Sequence, residues 1–135
     1  MRKQNPRYVT KKAINSLVEK LDLPSPDEYE QDWEYVVANT ERIDEFIDFY
    51  KNNSLSNEEK FALMIIIISS YNDLLEKERN IRTQWDRINY YLLEDYDIHL
   101  NTILYWSLPE TGDIEDCFAI TPYMRKLLLG KKLKP

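Results

Sequence analysis

Ser56-Asn57-Glu58-Glu59-Lys60-Phe61-Ala62-Leu63-Met64-Ile65-Ile66-Ile67-Ile68-Ser69-Ser70-Tyr71-Asn72-Asp73-Leu74-Leu75 is the stretch whose reading decides the fold. The four consecutive isoleucines are ambiguous on their own, because β-branched side chains favour strands and an unbroken apolar run has no period. What precedes them is not ambiguous. Ser56 followed three residues later by Glu59 is a capping box, in which each side chain satisfies a free amide at the start of a helix. No glycine or proline follows the isoleucines for more than 30 residues, and Tyr71, Leu74 and Leu75 continue a helical spacing. The stretch therefore predicts a helix apolar on several sides, one that must lie at the centre of the molecule.

Outward from that centre the same period recurs. Ile43, Phe46, Ile47 and Tyr50 form a helical stripe after Asn39-Thr40, with Glu41, Asp44, Glu45 and Asp48 on the other side. Tyr29, Trp33, Val36 and Val37 mark a shorter helix behind a second capping box, Ser25-Pro26-Asp27-Glu28. Asn5-Pro6 reads as an N-cap and first helical residue, with Ile14, Leu17, Val18 and Leu21 on one face and Pro24 as the stop. On the other side, Ile81, Trp85, Ile88 and Leu92 predict a helix ending near Glu94-Asp95. Asp97 can cap a helix over Ile98 to Ser107, although the residues at 98–107 also pass as a strand, and those at 117–120 read as extended. Thr121-Pro122 opens a last helix expected to end at Gly130, leaving a mobile basic tail at 131–135. The expectation is a mainly α, single-domain bundle over residues 1–135, with about five to seven helices and short strands possible at 98–107 and 117–120.

Composition supports this. The chain has 135 residues and only two glycines, whereas sheet-rich folds use glycine freely in hairpins and bulges. Its longest apolar run, Phe61 to Ile68, falls short of the roughly 20 residues that span a bilayer. Polar residues follow the basic start at Arg2-Lys3, so no signal peptide is expected there and the mature protein is expected to begin here. A lone cysteine, Cys117, cannot form an internal disulfide, which fits a reducing cytoplasm.

Charge is distributed unevenly. Ten of the 18 basic residues lie in the two ends, and all 24 acids lie between them. Residues 13 to 124 carry 8 basic and 24 acidic side chains, a formal charge of −16. Such a field repels nucleic acid and attracts cationic partners.

Catalytic chemistry finds little purchase. With two glycines there is no phosphate-cradling loop, and Ser69-Ser70 lacks a nucleophile-elbow context. The one histidine, His99, sits in Asp95-Tyr96-Asp97-Ile98-His99. On an extended backbone Asp95, Asp97 and His99 would share a face and could hold a metal or tune the imidazole, whereas a helix scatters them. That cluster is the alternative reading, a small enzyme or metal-binding protein. No catalytic residue, metal or cofactor is assigned. An oligomeric subunit joined through Ile65 to Ile68 or Leu127-Leu128-Leu129 is a second alternative.

The leading expectation is a non-enzymatic binding module. Residues 27 to 48 hold nine acids against one base, Arg42, interleaved with Tyr29, Trp33, Tyr35 and, just beyond, Tyr50. Aromatic residues anchor protein interfaces, and one sign of charge speeds encounter with the opposite sign. Glu30, Glu34, Glu41, Asp44, Glu45 and Asp48 are the expected contacts for a basic protein partner. Neutralising a cationic toxin, as bacterial immunity proteins and antitoxins do, would suit such a surface.

Overall fold

A computed structural model describes residues 5–26, 32–78, 83–107 and 118–133. Among these are seven α-helices and no strand: α1 (Lys11–Leu21), α2 (Trp33–Val36), α3 (Ile43–Asn52), α4 (Asn57–Lys77), α5 (Thr83–Glu94), α6 (Tyr96–Ser107) and α7 (Thr121–Leu133), with a 3-10 turn at Thr40–Arg42 leading into α3.

Helix α4 is the axis of the bundle. Its capping box forms as the sequence predicts, Ser56 Oγ accepting from Glu59 N at 3.1 Å and Ser56 N donating to Glu59 Oε1 at 3.0 Å. Every residue from Phe61 to Asn72 is buried, and α1, α2, α3, α5 and α6 all pack against it. Helix propensity disfavours isoleucine relative to alanine by a few tenths of a kcal/mol. Full burial of each such side chain contributes roughly 1.5–3 kcal/mol, so packing on all sides outweighs local strand preference. No described helix is long and apolar enough to cross a membrane.

Helix α1, residues 118–120 and the end of α7 differ from expectation, while at 98–107 the helical reading holds over the strand. Helix α1 starts at Thr10, whose side chain accepts from Ala13 N, and not at Asn5-Pro6. Asn5 is used elsewhere: its Nδ2 donates to the Asp97 carbonyl at 2.7 Å, and Asn101 Nδ2 donates to the Asn5 carbonyl at 2.9 Å, tying the chain start to α6. Residues 98–107 are helical, because in α6 the buried His99, Thr102, Ile103 and Trp106 recur at helical spacing against the core. Residues 118–120 form a turn, with Ile120 N donating to the buried Asn72 Oδ1, while Cys117 lies outside the described residues. Helix α7 also runs past Gly130 to Leu133, so the stretch from 131 is not a tail but helical as far as 133. The second capping box, at 25–28, extends beyond the described residues, as do Tyr29 and Ile81. In α2, Trp33 and Val37 are buried as the spacing predicts, but Val36 is exposed.

Buried polar bonds join the helices. Ser70 Oγ donates to the Ile66 carbonyl and accepts from Asn39 N, fixing the turn that precedes α3. Thr121 Oγ1 donates to the Trp106 carbonyl and Arg125 Nε to that of Ser107, which seats α7 on the end of α6.

Candidate functional site

The acids expected to contact a partner divide into three groups. Glu30 lies outside the described residues. Glu34 stands on α2, half-buried, and its carboxyl is raised by desolvation and by Asp32, against the pull of a backbone hydrogen bond. Glu41, Asp44, Glu45 and Asp48 fall at i, i+3, i+4 and i+7 along the turn and α3, opposite the buried Ile43, Phe46, Ile47 and Tyr50. All four are exposed.

Two arginines attend this stripe. Arg42 donates to the Leu21 carbonyl at 2.6 Å and to both Glu45 oxygens at 2.7 Å, and the latter pair holds the Glu45 carboxyl below its ordinary range. Arg87 reaches across from α5 to Asp44 Oδ1 at 3.2 Å and to Asp48 Oδ1. Arg87 is 39 and 43 residues from these partners, so no local pattern announces it. Its pairs are solvent-exposed, and exposed pairs contribute only about 0–1 kcal/mol, so another cation can displace them. Glu41 makes no ion pair among the described residues.

Glu41 also borders a cleft of about 410 Å³ between the 38–41 turn and the end of α4. Asp73 and Glu76 line the other side, with Lys77 beside them. The Asp73 carboxyl is raised by desolvation and by Glu76. Asp73 and Glu76 were not singled out by the sequence reading, but a signal was there. Two acids three residues apart near the C-terminus of a helix repel each other and oppose the helix dipole, so their placement works against α4 itself.

Asp95, Asp97 and His99 do not form one set. Among the described residues no three His, Cys, Asp or Glu side chains converge as metal ligands. Asp95 and His99 meet instead through Tyr50, whose hydroxyl donates to Asp95 Oδ2 at 2.6 Å and lies 2.8 Å from His99 Nε2. The phenol has one proton. With that proton directed to the carboxylate, His99 Nε2–H must donate to the phenol oxygen, leaving Nδ1 bare, and Nδ1 has no hydrogen-bond partner among the described residues. Lys60 Nζ faces the other Asp95 oxygen at 3.4 Å. His99 is fully buried. Burial pushes its imidazole down to about 4, with Asp95 opposing and Lys60 assisting, so the ring is neutral at pH 7. These groups staple α3, α4 and α6 together.

Glu59 is also enclosed, though less completely than His99. It accepts from Ser16 Oγ, from Lys20 Nζ at 2.9 Å and from Ser56 N. Burial raises its carboxyl, but these hydrogen bonds together outweigh burial and bring it to about 2. The chain matches no protein-family model, no curated protein and no solved structure.

Proposed function

We propose that this protein is a non-enzymatic binding module that holds a basic partner protein on the acidic surface running from α3 into the cleft at the end of α4. The observation that supports this reading most directly is the convergence of Glu41, Asp73 and Glu76 on that cleft, with Lys77 the one basic side chain in its lining among the described residues. Raising Asp73 by desolvation and by Glu76 stores a cost that an incoming lysine or arginine relieves. Glu41 belongs both to the cleft and to the 41/44/45/48 stripe, so the two form one surface. A partner cation at Asp44 or Asp48 replaces Arg87, exchanging one exposed pair for another at little cost. Neutralisation of a cationic toxin, in the manner of a bacterial immunity protein or antitoxin, is the specific role we propose, since steered association meets its need for speed.

The test is capture from native lysate at low and moderate salt, comparing the protein with a variant in which Glu41, Asp44, Glu45 and Asp48 are lysine. The expected result is a basic protein retained by the first, weakened by salt and lost from the second, with both giving the same helical circular dichroism. Equal retention by the two proteins overturns the assignment of this surface.

A further inference from the structure

Helices α5 and α7 leave between them a groove of about 440 Å³. Its walls are two helical stripes, from Trp85 to Leu93 on α5 and from Tyr123 to Lys131 on α7. Each stripe spans eight residue steps, about 12 Å or two turns. The floor is apolar, built by Trp85, Tyr123 and Leu127, and the exposed Tyr90 and Leu129 stand on the same two helices.

Two features of α7 point outward. Gly130 lies within the helix, where glycine is the least favourable residue after proline. Among the described residues nothing requires it, since a Cβ at this position would meet no atom within 4 Å. The space left by the missing side chain belongs to the groove. Lys126 and Lys131 rim the same wall, and neither pairs with a carboxylate among the described residues, in a chain whose acids outnumber its bases. Lys131 rests instead over the Tyr96 ring at 4.8 Å. The one acid of the groove among the described residues, Asp86, stands on the opposite, α5 wall.

We infer that this groove is a second docking site, which takes an amphipathic helical segment of a partner protein with bulky apolar anchors and a carboxylate flank. The anchors enter over Trp85 and Leu127, the backbone approaches α7 at Gly130, and the carboxylates lie against Lys126 and Lys131. Its polarity is opposite to that of the α3 surface, and it does not depend on the function proposed for that surface.

The test uses two synthetic helical peptides with the same leucine anchors, one flanked by glutamates and one by lysines. Binding is read by Trp85 fluorescence, with labelled-peptide anisotropy as the second readout. The glutamate peptide is expected to bind about tenfold or more tightly than the lysine peptide, and Lys126→Glu with Lys131→Glu to reverse that order. Gly130→Phe, which fills the groove, should abolish binding. Gly130→Ala should fold with a raised melting temperature, showing that position 130 is free of internal constraint. The variant with lysine at 41, 44, 45 and 48 should bind the glutamate peptide unchanged. Failure of both peptides to bind, equal binding of the two, or binding undisturbed by Gly130→Phe overturns the proposal. So does a concentration-dependent dimer lost in Gly130→Phe, which would make a second copy of the chain the occupant.

Discussion

The carboxylates of Glu59 and Asp95 are turned into the bundle and saturated, whereas those of Asp44, Glu45 and Asp48 stand in solvent beside two arginines. Glu59 takes hydrogen bonds from Ser16, Lys20 and the Ser56 amide, and Asp95 takes them from Tyr50 and Lys60. In the interior an unmatched charge is expensive, so each oxygen is supplied with donors and the charge is spent on holding helices together. On α3 the surrounding water already solvates the acids, their arginine pairs contribute little, and the charge remains available to a partner. The same residue type therefore serves architecture in one place and recognition in the other, and burial decides which.

Removing a saturated carboxylate should have the largest effect. Glu59→Ala strips the α4 cap and leaves Ser16, Lys20 and the Ser56 amide without their acceptor, for an expected loss of about 3 kcal/mol or more. Urea unfolding measures this, and a loss below about 1 kcal/mol would erase the distinction between the two regions.

The inner network should also respond to pH. His99 is lowered from 6.5 to about 4 in the folded protein, so the unfolded chain binds the extra proton first as the solution is acidified. Stability on this account is fully present above pH 6.5 and declines as pH falls towards 4, by on the order of 3 kcal/mol. Glu59, lowered from 4.5 to about 2, contributes a separate loss in the window below 4.5. His99→Gln keeps a donor for the Tyr50 oxygen but does not titrate. It should flatten the upper window and leave the lower one, and an unchanged slope between pH 6.5 and 4 would reassign that window to other groups.

The smallest effect belongs to the surface. Arg87→Ala should change stability by less than about 1 kcal/mol, while freeing Asp44 and Asp48 and strengthening retention of a basic partner at low salt. A larger loss of stability, or weaker retention, would place Arg87 among the structural groups.

Much of the fold is legible in the sequence, and the places where it is not have physical causes. The α4 capping box and the stripes of α3 and α5 are bonds and contacts between residues three or four apart, which any sequence window contains. Asn5-Pro6 has the composition of a helix start, but Asn5 is drawn into bonds with Asp97 and Asn101 on α6, and the start moves to Thr10. Residues 98–107 carry enough aromatic and β-branched side chains to resemble a strand, yet burial of His99, Thr102, Ile103 and Trp106 on one helical face decides the matter. At the candidate site the exposed acids of α3 could be read directly. Arg87 could not, because it comes from α5 and meets Asp44 and Asp48 only when the bundle closes, and Asp73 and Glu76 showed only as acids ill-placed near the end of a helix, their cleft with Glu41 being a product of the fold.

The sequence by itself determined the mainly helical character, the start of the central helix and the strongly acidic middle of the chain, since caps, periodicity and charge count are local or additive properties. Tertiary structure alone decided which charges are consumed and which are offered. The partners that settle it, Ser16 with Glu59, Tyr50 with Asp95 and Arg87 with Asp44, are 43 to 45 residues apart. Whether a carboxylate is desolvated and saturated or solvated and free depends on what packs over it, and packing is a property of the assembled bundle.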